Sequence, residues 1–178
     1  HVLPDQIYLI PIRYRPIFPG IVTPLIISQG RFTKVIDRVL GESRTIGLVL
    51  IRDDEKGEID FDDLYTYGTA ARVLKKINLP DGGVNVLINS VRRFRIIRPV
   101  EQKKYLMAEV QYLNDSLGRK NRLEIKALTR EVLSQLKLLS DNNPLFTEEM
   151  KLTMLNVEEP GKIADFVTSI LNIEKKDY

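Results

Sequence analysis

The sequence predicts an α+β chain. A strand-rich, partly closed β-barrel with one embedded helix is expected over residues 1–115, followed by a small α-helical bundle of three helices over 116–178. Three observations carry this reading. Short apolar runs separated by Pro, Gly and Asp fill the first two-thirds, the pattern of strands joined by turns. One stretch of helical period, residues 31–40, interrupts them. After Asn114-Asp-Ser-Leu-Gly118 the apolar period turns helical and the charge balance changes. Residues 1–112 hold 17 basic and 13 acidic side chains, whereas residues 113–178 hold 10 and 11.

Ile7–Ile12 opens the chain as a short strand. Pro16 and Pro19 then forbid continuous helix, Gly20 permits a turn, and Pro24–Ile27 resumes extended chain. Phe32, Val35, Ile36, Val39 and Leu40 fall on one helical stripe, with Gly41 placed as a C-cap glycine. Ile46–Ile51 is apolar without alternation, which predicts a strand buried on both faces. Arg52–Asp63 is a charged stretch and reads as a solvent loop. A long strand is expected from Tyr67 to Leu79, then a hairpin turn at Pro80-Asp-Gly-Gly83, where Asp-Gly supplies the positive φ a tight turn needs. Val84–Asn89, Arg92–Val100 and Tyr105–Leu113 complete the meander. In the second part Leu128, Val132, Leu136 and Leu139 mark a helix ending near Ser140. Thr147 suits the N-cap of a short second helix carrying Met150, Leu152, Met154 and Leu155. Pro160 suits the first turn of a third, lined by Ile163, Phe166, Val167 and Ile170.

Composition narrows the chemistry. The chain has 178 residues, 43% hydrophobic and 29% charged, enough apolar material for a core. It has no cysteine, which excludes disulfides, thiol nucleophiles and zinc ribbons, and its single histidine is His1 at the terminus. No apolar run approaches the roughly 18–20 residues of a membrane span. Asp5, Arg13 and Arg15 interrupt any early signal-like stretch. Neither phosphate-loop glycine pattern is present, nor a G-x-S-x-G elbow. Ser134 and Lys137 sit at a spacing that on a helix gives a solvated face. The carboxylates between Asp53 and Asp63 lack the order of a calcium loop. No catalytic residue, metal site or cofactor is therefore assigned.

Two features remain. Arg92, Arg93, Arg95, Arg98, Lys103 and Lys104 form the densest basic stretch. With Phe94 and Ile96 alternating against Arg93 and Arg95, it reads as a half-buried strand with a charged outer face. Stacking aromatics, which single-strand binders use, are not interleaved, so nucleic acid is a minor expectation. The other feature is apolar: Ile17, Phe18, Pro19 and Ile21 form a greasy turn flanked by Arg13 and Arg15. Such a turn either folds over its own barrel end or captures apolar segments of another chain.

Leu9-Ile-Pro-Ile-Arg13, Ile17-Phe-Pro-Gly20, Pro24-Leu25, Gly30-Arg31 and Ile46-Gly-Leu-Val49 occur in this order. They are followed by Asp63-Leu-Tyr65, Gly68-Thr-Ala-Ala-Arg-Val73, Leu79-Pro-Asp-Gly82, Val86-Leu87 and Val157-Glu-Glu-Pro-Gly-Lys-Ile-Ala-Asp165. This ordered set, spanning nearly the whole chain, resembles the N-terminal domain of Lon, the ATP-dependent protease La. The resemblance implies a PUA-like barrel followed by a helical subdomain. It implies a non-catalytic module that recognises unfolded, damaged or degron-bearing proteins and supports a homohexamer. The ATPase with its ATP and Mg, and the Ser-Lys peptidase pair, would lie beyond Tyr178. The parent would be cytoplasmic in a bacterium, with the mitochondrial matrix as the alternative. Substrate contact is expected from Ile17, Phe18 and Pro19 in the turn and from Phe146 and Met150 in the helical part. A stand-alone protein without an ATPase, and a PUA-like RNA-binding module, are the alternatives.

Overall fold

The apolar runs become strands β1 (Gln6–Ile12), β2 (Val22–Ile27), β3 (Thr45–Ile51), β4 (Leu64–Asn78), β5 (Val84–Pro99) and β6 (Met107–Tyr112). The helical periods become α1 (Arg31–Gly41), α2 (Arg122–Asn142) and α3 (Pro160–Ile170). In this computed structural model the described residues are 2–100, 104–114, 122–144, 146–148, 151, 159–171 and 174–177. Contacts divide the chain into two units, His1–Asn114 with Ile173–Tyr178, and Asp115–Asn172.

In the first unit the sheet order is β2-β5-β4-β3-β1-β6, and β5 also pairs with β6. Among the described residues five strands therefore close into a ring, and β2 is joined only to β5. The β1–β3 pair is parallel and the others are antiparallel. Every residue of β3 is buried, as its unbroken apolar run requires. Val49 and Ile51 point into the ring beside Ile7, Leu9 and Phe94. Ile46, Leu48 and Leu50 point the other way, into a second core with Val35, Ile36 and Val39 of α1. One strand thus supports two hydrophobic layers.

Phe94 is completely buried. A side chain of this kind contributes about 1.5–3 kcal/mol by leaving water. Its ring needs two glycines. A Cβ on Gly68 would lie 2.5 Å from the Leu48 carbonyl oxygen and 2.6 Å from Phe94 Cζ. One on Gly47 would lie 2.9 Å from the same Cζ.

Helix α1 buries Val35, Ile36 and Val39 on the predicted stripe, with Phe32 and Leu40 packed at its margins. Gly41 is the last helical residue and has no positive φ. The left-handed position after the helix is instead Arg44, φ 55°, whose N–H donates to the Val39 carbonyl at 2.8 Å. Chain reversal is thus completed three residues later than the C-cap reading expects. The hairpin at 79–83 forms as expected: Gly82 has φ 83°, Leu79 N–H donates to Gly83 O, and Asp81 Oδ1 accepts from Gly83 N–H. The two segments expected after it are one strand, β5, interrupted by a bulge where Ala70 opposes Arg92 but Ala71 opposes Ser90.

In the second unit α3 begins at Pro160, and Ile163 is buried against Leu136 of α2, with Leu133, Phe146, Phe166, Val167 and Ile170 around them. The stripe expected on α2 is displaced. Leu136 and Ser140 are buried, whereas Leu128, Val132 and Leu139 are exposed. Leu136 belongs both to the expected stripe and to the observed one with Leu133 and Ser140, so periodicity alone left two faces open. The expected helix carrying Met150, Leu152, Met154 and Leu155 lies outside the described residues.

Candidate functional site

Where β1 ends and β2 ends, the first unit opens into a cleft of about 880 Å³. This is within the range of about 300–1,000 Å³ typical of binding pockets. One wall is the end of β1 running into the turn, with Ile12 and Ile17. The opposite wall is Leu25–Ile27 of β2, continuing to Phe32 at the start of α1. Gly57, Glu58 and Ile59 of the acidic loop complete it. The lining charges are Arg13, Arg15 and Arg31 against Glu58.

The acidic loop is held to the cleft through its backbone. Arg13 donates from Nη1 to the Asp54 carbonyl and from Nη2 to the Lys56 carbonyl at 3.2 Å. Arg31 donates from Nη2 to the Ile59 carbonyl, and its guanidinium lies 4.8 Å from the Phe32 ring centre. Ile59 is buried in the ring core. The expected solvent loop is thus exposed at its carboxylates and anchored at Ile59. Asp54, Lys56 and Asp63 of the loop are ion-paired. Lys56 Nζ lies 2.6 Å from Asp63 Oδ1, Lys175 pairs with Asp54, and Asp60 N–H donates to Asp63 Oδ2 at 2.7 Å. The Lys56 hydrogen bond, helped by Asp60 N–H, holds the Asp63 carboxyl below its usual range. Among the described residues no group of three His, Cys, Asp or Glu side chains is placed to hold a metal ion.

The greasy turn is pinned to β5 by one buried hydroxyl. Ser90 Oγ accepts from Ile21 N–H at 2.8 Å and lies 2.6 Å from the Phe18 carbonyl, to which it donates. Gly20 N–H donates to Ser90 O and Ser90 N–H to Ile21 O, both at 2.9 Å. Gly20 takes φ 84°, which a side chain would resist. Of the expected contact residues, Ile17 lines the cleft. Phe18 and Pro19 are half-buried in the same pinned turn, outside the lining. Phe146 is half-buried against the Leu136–Ile163 core of the other unit. Met150 lies outside the described residues. Sequence reasoning missed Leu25, Phe32, Ile59 and Arg31. The lone isoleucine within a charged loop was the available signal for Ile59.

Away from the cleft, β5 turns Arg95 outward between Tyr67 of β4 and Gln111 of β6. Tyr67, Arg92 and Arg95 are exposed, and Arg98 pairs with Glu109 at 2.6 Å. Tyr112, beside them, donates its hydroxyl to the Pro4 carbonyl at 2.7 Å. Burial, with Asp5 nearby, pushes its phenol up to about 12.

Residues 6–178 match the family model described as the ATP-dependent protease La (LON) substrate-binding domain. The chain is 49% identical over 177 residues to a Lon protease of Leptospira interrogans serogroup Icterohaemorrhagiae serovar copenhageni (strain Fiocruz L1-130), covering 99% of this chain and 21% of that protein. It is 49% identical over 176 residues to a Lon protease of Treponema pallidum (strain Nichols), covering 99% and 20%. The chain thus spans about a fifth of the length of these curated relatives. Among solved structures it resembles the N-terminal domain of Mycobacterium avium complex Lon protease, with TM-score 0.74, 18% identity and coverage of 97% and 86%. It also resembles a Lon N-terminal domain protein from Xanthomonas campestris, with TM-score 0.55, 20% identity and coverage of 93% and 98%. These likenesses fix the fold, and the matched region is the substrate-binding part of the relatives rather than their protease part. The chain belongs to the ATP-dependent protease La (LON) substrate-binding domain family.

Proposed function

We propose that this chain is the recognition module of a Lon-type ATP-dependent protease and that its cleft receives apolar segments of unfolded or damaged proteins. The observation behind this reading is an apolar cleft walled by Ile12, Ile17, Leu25, Phe32 and Ile59 in a chain of the substrate-binding family. Burying a few such side chains gives weak, sequence-tolerant capture, which suits a protein that samples many unfolded chains. In a homohexamer six copies raise the effective concentration, so each site can be weak. The barrel of residues 1–115 would supply the cleft, and the helices of 116–178 would add contacts through Phe146 and Met150. Proteolysis, ATP and Mg would belong to the rest of the parent, in the cytoplasm of a bacterium. Among the described residues no helix is long and apolar enough to cross a membrane.

The test is binding of a fluorescent, permanently unfolded reporter protein. Ile17→Ser is expected to weaken it severalfold while the fold, read by circular dichroism, is retained. Phe18→Ala asks whether the pinned turn contributes beyond Ile17, and equal affinity removes Phe18 from the site. A second reading, RNA binding along β5, rests on the exposed Tyr67 beside Arg95. It requires salt-sensitive binding of single-stranded RNA that Arg95→Glu abolishes.

A further inference from the structure

We propose that the cleft takes its guest as an added β-strand, hydrogen-bonded along the free edge of β2, with an acidic residue of the guest meeting the arginines at the rim. This inference rests on the substrate-binding reading above and specifies the chemistry of what is bound.

The edge is legible in the hydrogen bonding. Ser90 N–H donates to Ile21 O, and Ile27 pairs with Val84, Leu25 with Val86 and Thr23 with Ile88. Odd residues of β2 therefore turn their backbone toward β5, an alternation that places Pro24, which has no N–H, on the other side. Val22, Pro24 and Ile26 turn their backbone groups outward. Among the described residues β2 has no strand partner there. Facing it across the cleft, β1 pairs with β6 over Gln6–Tyr8, and Leu9 N–H donates to the Leu106 carbonyl at 2.8 Å, so among the described residues Ile10–Ile12 has only β3 as a strand partner. Two open strand edges thus wall one apolar cleft.

The edge is rich in acceptors. Val22, Pro24 and Ile26 carry three carbonyls but only two N–H groups, because Pro24 lacks one; Ile26 lines the cleft itself, and the Pro24 carbonyl also accepts from Thr23 Oγ1 at 3.4 Å. It suits a guest that donates backbone N–H groups, which any extended polypeptide does. The rim adds charge complementarity. Arg13 and Arg31 bond neutral carbonyls of the acidic loop, and among the described residues Glu58 is the one carboxylate in the lining. An acidic flank on an apolar strand fits both features.

The experiment uses the 178-residue chain and a nine-residue peptide of alternating Val and Leu with one terminal Asp, read by fluorescence anisotropy. N-methylation of alternate residues removes donors while keeping the peptide extended. Methylating one alternate set is expected to weaken binding about tenfold, the loss of one or two hydrogen bonds. Ile26→Pro is expected to weaken it more than Ile26→Ala, which keeps the N–H. Replacing the terminal Asp by Lys is expected to weaken it further. If the parent peptide binds, Ile17→Ser weakens it and neither methylated set does, strand addition is wrong and the cleft reading stands. If neither the peptide nor an unfolded reporter binds, both readings fall. If the peptide fails to bind and the chain instead dimerises in a manner that Ile26→Pro abolishes, the edge belongs to a second copy and the inference is overturned.

Discussion

The two units bury apolar surface in different ways. The strand unit stacks two cores on a single sheet, and β3 serves both, so a change at β3 or its neighbours is felt on two sides. Among the described residues the helical unit has one small core, Leu136 and Ile163 with five partly buried neighbours, while α2 leaves Leu128, Val132 and Leu139 exposed. Closing strands into a ring fixes each side chain's direction, whereas a helix pair leaves rotation about its axis weakly determined. Precision of placement, not apolar content, separates the two.

The sharpest way to break this contrast is to truncate both cores and compare urea denaturation by circular dichroism. Phe94→Ala is expected to cost about 3–5 kcal/mol, and Leu136→Ala nearer the ~2 kcal/mol low end of its class. Equal costs would mean the small core is as tightly specified as the ring. Gly68→Ala comes next, at about 1–3 kcal/mol and toward the upper value, because the obstructing Leu48 oxygen is backbone. A neutral outcome would show that the ring can expand around Phe94.

Ser90→Ala is expected to cost about 1–2 kcal/mol by removing the hydroxyl that accepts from Ile21 N–H and donates to the Phe18 carbonyl. It should also speed proteolysis within 16–21, and an unchanged cleavage rate would mean the turn holds without its pin. Tyr112 gives the strand unit an alkaline signature. Its phenol is raised in the folded state, so the unfolded chain loses the proton first. The stability it contributes is full below about pH 10 and is lost as pH rises toward about 12. Tyr112→Phe should flatten that part of the pH–stability curve. The smallest effect is expected on the exposed α2 face, where Leu128→Lys should stay within about 0.5 kcal/mol. A larger loss would place Leu128 in a buried contact.

Much of the strand unit was legible because its signals are local and redundant. The Ile46–Ile51 run, the 32/35/36/39/40 stripe and the Asp81-Gly82 turn each specify one geometry. What escaped was set by partners distant in sequence. Ile59 is buried because ring residues receive it. Arg31 reads as a helix-start charge until its bond to the Ile59 carbonyl, 28 residues away, is seen. Of the expected α2 stripe Leu136 is buried while Leu128, Val132 and Leu139 are exposed, because together with Leu133 these residues satisfy more than one helical face. Of the cleft, the turn residue Ile17 was legible. The opposing wall at Leu25 and Phe32 was not, since only tertiary pairing brings β1 and β2 to one opening.

Arg13 and Arg31 recognise the acidic loop by its main-chain carbonyls and not by its carboxylates. The wall of the cleft is therefore uncoupled from the identity of the side chains that decorate it. Substitution at Glu58 can recolour the opening's electrostatics while the backbone anchors at Asp54, Lys56 and Ile59 persist, so preference can be retuned here without rebuilding the scaffold.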